Sequence, residues 1–203
     1  MLSVLLSVFA VHLVAAMSPG PAVLMTARVA MLRGMASAVA LSIGIALGAC
    51  VWAAAALLGL ATLFEIAPKL LIALKVIGAT YLIWCAYKMW RGAREPLDVG
   101  TVKAPKISPL RAVILGVTTQ LANPKPAVFF GAVFVSVVPH DVDVTTLLAI
   151  LLIVFCNEAI WNIFVARLFS LERTRAGYMR LKTPVDRVLG GLLAALGLKI
   201  ATT

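Results

Sequence analysis

The sequence predicts an all-α integral membrane protein, with six transmembrane helices arranged as two inverted three-helix repeats and helices 1 and 4 broken at proline-rich motifs. Three observations carry that expectation. Of 203 residues, 63% are apolar and only 13% charged, against roughly 45–50% and about 25% in a soluble domain. The apolar residues fall into six runs close to the ~20 that a helix needs to cross the hydrocarbon, and their short connections leave almost no room for a soluble domain. Two of these runs are interrupted by matched motifs, Ser18-Pro19-Gly20-Pro21 and Asn123-Pro124-Lys125-Pro126, 105 residues apart. The expected divisions are a first repeat over residues 1–90, a cytoplasmic linker over 91–109 and a second repeat over 110–203.

Span one runs from Leu2 to Ala16, meets the first proline motif, and resumes through Ala22 to Leu32. Met1-Leu2-Ser3 lacks the positive n-region of a signal peptide, so the segment reads as a retained span. Span two lies between Arg33 and Glu65; it is uncharged from Gly34 to Phe64, with Gly44, Gly48 and Gly59 at helix-packing spacing. Span three covers Pro68 to Trp90, and its Tyr81, Trp84, Tyr87 and Trp90 gather near the basic end, as an interfacial belt would. Arg91 to Lys106 reads as a loop, rich in Gly, Pro and charges of both signs. Span four extends from Leu110 to Val138 around the second proline motif and is closed by a turn at Pro139-His140-Asp141. Span five covers Val144 to Phe169. A basic linker, Glu172 to Lys182, is expected along the membrane surface before the last span, Pro184 to Ile200.

A net charge of +10 raises the question of nucleic acid, but the basic residues occupy short gaps between apolar runs rather than one soluble face, so no nucleic-acid partner is expected. They report orientation instead. Arg28 and Arg33 follow span one; Lys88, Arg91, Arg94, Lys103, Lys106 and Arg111 surround the central loop; Arg167, Arg173, Arg175, Arg180, Lys182 and Arg187 follow span five. That places these three loops in the cytoplasm and both termini in the periplasm of a bacterial inner membrane. Cys50, Cys85 and Cys156 each lie inside an apolar run and read as packing residues, with no paired spacing for a metal or redox couple. No cofactor or metal is implied.

Proline inside a helix removes a donor and collides with the carbonyl four residues earlier, at roughly 3 kcal/mol each in a water-soluble helix. Unwound backbone at membrane depth survives only where protein or a water-filled cavity satisfies its polar groups. Paired interruptions at corresponding places in two halves are a sequence pointer to a transporter's binding site. The substrate-binding candidates are therefore Ser18, Pro19, Gly20, Pro21, Asn123, Pro124 and Lys125. Ser18 and Asn123 are read as caps, and the N–H groups of each new half-helix offer a site for a carboxylate. The simpler alternative is a pair of kinks that only let helices pack.

Charges inside the membrane narrow the reading. Lys125 would cost about 2.5–3.5 kcal/mol on insertion scales unless paired or facing water; it either binds a substrate carboxylate, pairs with Glu158, or caps carbonyls freed by the prolines. Glu158, beside Asn157 in span five, is the candidate proton carrier, with Asn162 on the same helical face. His12 is a candidate proton relay, the bland alternative being a satisfied hydrogen-bonding residue. Lys75 reads as a snorkelling side chain.

With these motifs in place, the chain resembles the LysE/RhtB family of amino-acid exporters. The resemblance runs from Ser18-Pro19-Gly20-Pro21 through Arg33-Gly34, Gly44 to Gly48, Lys75 to Leu82 and Asn123-Pro124-Lys125 to Gly190–Lys199. It implies a six-helix exporter of an amino acid or derivative, driven by protons and forming a homodimer. Two departures stand out: Ala22 follows the first proline motif where many members have Asp or Asn, and Pro139-His140-Asp141 stands where Pro-Gln-Phe is common. The competing expectations are export of another small solute or a metal cation, and a membrane protein that transports nothing. An enzyme is disfavoured, since the sequence holds no nucleophile–base pair and no H-E-x-x-H motif.

Overall fold

Leu2–Met17 forms α1 and Pro21–Arg33 forms α2, and the two meet at a 58° bend across the first proline motif. We describe a computed structural model covering residues 1–66, 68–95, 105, 107–139 and 142–202, without the side chains of residues 60–75, 78, 124, 132–136, 172–176, 178 and 179. After α2 come α3 (Met35–Ile66), α4 (Pro68–Gly92), α5 (Pro109–Leu121), α6 (Pro124–Val137), α7 (Val144–Ser170) and α8 (Glu172–Thr202), with no strand among the described residues. Most of the expected linker, the turn at His140-Asp141 and the Lys75 side chain lie outside the described residues.

Each proline motif splits one expected span into two helices. Pro21 stands at the first position of α2, where its missing donor costs nothing. Pro124 likewise opens α6 directly after Asn123. A single residue joins α2 to α3: Gly34, at φ 86°, adopts a left-handed conformation that a side chain would strain. Two helical stretches, Met35–Gly59 and Val144–Ser170, are long and apolar enough to cross a membrane, and α1 with α2 qualifies as a bent pair. Large apolar side chains such as Leu6, Val51, Leu148, Ile160 and Val188 cover the outside, the reverse of a water-soluble surface and suited to lipid.

In lipid, helices associate through close packing rather than through water exclusion, so small residues mark the contacts. The helix pairs in contact lie mostly between the two expected halves: α3 packs along α5 and α7, α4 along α8 and α6, and α7 along α1 and α2. A Cβ at Gly44 would overlap the carbonyl oxygen of Val113, and one at Gly116 that of Leu41. Gly48 approaches Gln120 closely, whereas among the described residues no atom lies within 4 Å of a Cβ at Gly59. Overpacking a tight contact costs about 1–3 kcal/mol. Gly44→Val is therefore expected to lower the thermal unfolding midpoint of the purified protein, while Gly59→Val leaves it unchanged.

One sequence expectation is corrected here. Glu172–Thr202 is one helix that contains Pro184, so no separate surface linker ends at Lys182. The reason is a tertiary contact: Lys182 Nζ donates to the carbonyl of Gly92 at 2.8 Å and Thr183 Oγ1 to that of Ala93 at 3.0 Å, fastening this turn to the end of α4. Of the four span-three aromatics Trp84, Tyr87 and Trp90 are exposed, Trp90 Nε1 donating to the Arg187 carbonyl at 2.8 Å, and Tyr81 is half-buried; Tyr81 and Trp84 also border a cavity.

At the other end of the second half, Asp143 caps α7 by accepting from the backbone N–H and the hydroxyl of Thr146. Those bonds hold its carboxyl below the usual aspartate value, the Thr146 hydroxyl contributing most. A lowered folded-state pKa means that the cap stabilises the helix above the ordinary value and is lost as pH falls below it. Faster amide exchange in the first turn of α7 is the expected result of Asp143→Ala.

Candidate functional site

Both proline breaks open onto one cavity of about 460 Å³, lined by Pro19, Gly20, Pro21, Leu24, Asn123 and Lys125 from the breaks, by Tyr81, Trp84, Cys85, Lys88, Met89 and Gly92 from α4, and by Lys182 and Asp186 from α8. Such a volume is in the ordinary range for a small-molecule site. The cavity lies beside the end of α4 and the first half of α8, next to the basic segments of the chain.

Lys125 ties the breaks together. Its Nζ donates to the carbonyl oxygens of Ala15 and Ser18, each at 2.9 Å, and to Ser18 Oγ at 2.8 Å. All three ammonium donors are thus engaged, and the charge sits at the negative end of α1. Ser18 Oγ in turn donates to the Ala15 carbonyl at 2.8 Å. Of the roles weighed for Lys125, the structure makes the one that caps freed carbonyls, and no direct ion pair joins Lys125 to Glu158.

The two cap expectations part company. Ser18 closes the C-terminus of α1, its N–H reaching the Val14 and Ala15 carbonyls, while Gly20 is the N-cap of α2 and supplies no side-chain bond. Asn123 does stand before its helix, and its Oδ1 accepts from the Lys125 N–H at 3.1 Å. That bond orients the amide. It leaves Asn123 Nδ2 buried without a partner. The ring of Pro124 is outside the described side chains.

Glu158, Asn157 and His12 form a second, drier cluster. Glu158 Oε2 accepts from Asn162 Nδ2 at 3.0 Å and Oε1 from Gln120 Nε2 at 3.4 Å, with His12 Nε2 at 3.9 Å. Asn162 Oδ1 accepts from the Thr26 hydroxyl at 3.0 Å, so residues of α2, α5 and α7 converge on one carboxyl group. Asn157 Nδ2 donates to the Phe9 carbonyl at 3.1 Å and lies 3.4 Å from His12 Nδ1. With Nδ1 as acceptor, the imidazole proton falls on Nε2, the nitrogen that faces Glu158. His12 is 2% exposed and packed against Phe129 and Phe130. Lys125 borders both regions, since it also lines a small cavity of about 10 Å³ with His12 and Glu158, room for about one water.

Four participants escaped the sequence reading: Gln120, Thr26, Lys182 and Asp186. Gln120 and Thr26 carry the signal that singled out Asn157, a polar group inside an apolar run. Asp186 sits four residues after Lys182, the spacing of a helical ion pair, but it could be read only after the segment was known to be helical.

A family model described as LysE type translocator matches residues 2–203. The threonine efflux protein of Escherichia coli (strain K12) is 36% identical over 203 residues, 98% of each chain. Those of Salmonella typhi and Salmonella typhimurium are 35% and 34% identical, again over 98% of each chain. No solved structure matches.

Proposed function

The chain belongs to the LysE type translocator family and is a membrane transporter rather than an enzyme; from that premise we propose that it exports a small amino acid from the cytoplasm by proton antiport, with threonine the first solute to test. The observation that carries this reading is the shared cavity at the two proline breaks. Helix breaks that only relieved packing would have no reason to face one shared cavity.

The wall chemistry supports an amino acid over a metal ion. Lys88, Lys125 and Lys182 all line the cavity, a repulsive setting for a divalent cation and an attractive one for a carboxylate. Lys88 Nζ lies 4.1 Å from the Trp84 ring, held there by the ring's negative face. The buried Nδ2 of Asn123 and the free N–H groups at the start of α2 are suited to hold the carboxylate.

We read the six expected spans as α1–α2, α3, α4, α5–α6, α7 and α8, in two inverted repeats. The α3–α7 and α4–α8 pairings support this, because an axis relating the halves would bring equivalent helices together. With the basic loops in the cytoplasm, the cavity faces inward and is poised to load solute, and alternating access would then open it to the other side. A reporter fused at Thr203 should be active only in its periplasmic form; a cytoplasmic signal would overturn the span count.

The direct test loads cells with threonine-containing dipeptides and measures extracellular amino acids with and without the protein, then with the proton gradient collapsed. Threonine is expected to accumulate outside in a protein-dependent manner. If no amino acid does so, the reading fails.

A further inference from the structure

We propose that Asp186 binds the ammonium group of the exported amino acid, while Asn123 takes its carboxylate. The inference rests on the amino-acid reading above and names a residue that the proline motifs do not contain. Asp186 is 2% exposed and borders the cavity. Its Oδ2 accepts from Lys182 Nζ at 2.7 Å, but its Oδ1 is buried with no hydrogen-bond partner. A carboxylate oxygen left unpaired away from water is costly, and native proteins rarely keep one without a use.

The neighbouring cations cannot substitute for it. Lys182 divides its ammonium among Asp186 Oδ2 and the carbonyls of Gly92 and Ala93, the last at 3.4 Å. Lys125 is likewise filled by the end of α1. Among the described side chains bordering the cavity, the buried groups with capacity to spare are therefore one donor, Asn123 Nδ2, and one anionic acceptor, Asp186 Oδ1. A zwitterion presents the matching set, an ammonium that donates and a carboxylate that accepts. A wall with lysines alone would favour a plain carboxylate; Asp186 shifts the preference to a solute that also carries a positive charge.

The test compares L-threonine with 2,3-dihydroxybutyrate, in which a hydroxyl replaces the ammonium, as counterflow substrates in proteoliposomes containing the full chain. Wild-type protein is expected to prefer threonine by at least about tenfold, since a site built for a charged donor rejects an analogue without it. Asp186→Asn, nearly the same in shape, should bring the ratio to within about twofold, chiefly by slowing threonine, and Asp186→Glu should keep the preference at a lower rate. A structural role alone would slow both solutes together and leave the ratio intact, which overturns the proposal. So does a wild-type protein that moves both equally well, a result that needs no variant to fold. The export reading fails separately, if the wild-type protein moves neither threonine nor any other amino acid.

Discussion

Lys125→Ala is expected to reduce export by roughly 100-fold or more while the protein remains in the membrane. Removing the ammonium takes the Lys125 donor from the Ser18 carbonyl and the Ser18 hydroxyl and leaves the Ala15 carbonyl with its bonds from Ser18 alone, and an unsatisfied buried acceptor costs about 1–3 kcal/mol. Those oxygens belong to the end of α1, so the loss frees the first break from the second and removes a positive charge from the cavity wall. The helix packing of Gly44 and Gly116 lies elsewhere, which is why insertion should survive. Lys125→Arg keeps the charge, but its planar fork cannot place donors on the same three oxygens; an intermediate rate is expected. The measurement is extracellular threonine against protein abundance in the membrane fraction, and wild-type export by the alanine variant would remove Lys125 from the site.

Lys125 also shows what a single sequence can and cannot disclose. Its cost in lipid marked it as functional, and the proline spacing placed it at a break, but sequence gave no way to choose among its three partners. That choice depends on how α6 is set against the end of α1, a contact between residues 110 and 107 positions apart. The broken spans and the long apolar run of α3 were legible because proline and hydropathy act locally. Continuity of α8 was not, because Pro184 signals a helix start or a break by itself, and the bonds from Lys182 and Thr183 to the end of α4 decide otherwise. The same distant contacts buried Lys182 with Asp186, turning an expected surface charge into part of the cavity.

Glu158→Gln should separate export from its driving force. In the proposed cycle Glu158 exchanges a proton with the outside while Lys125, which borders both the solute cavity and the small space beside Glu158, senses its charge. Glutamine keeps the size of the side chain and can still accept from Asn162, so the α2–α7 contact through Thr26 should persist. What it cannot do is change charge. Collapsing the proton gradient is expected to slow the wild-type protein by at least about tenfold, which corresponds to about 1.4 kcal/mol of coupling, and to change the glutamine variant by less than about twofold. Outward movement down a threonine gradient should remain in the variant, because the groups proposed to hold the solute, Asn123 and Asp186, are untouched. Gln120→Leu provides the contrast: it removes the 3.4 Å bond to Oε1 but leaves the carboxyl able to titrate, so its export should be slower yet still respond to the gradient. A glutamine variant that kept the full wild-type response would show that the proton travels by another route, and Glu158 would then serve only to join α5 and α2 to α7.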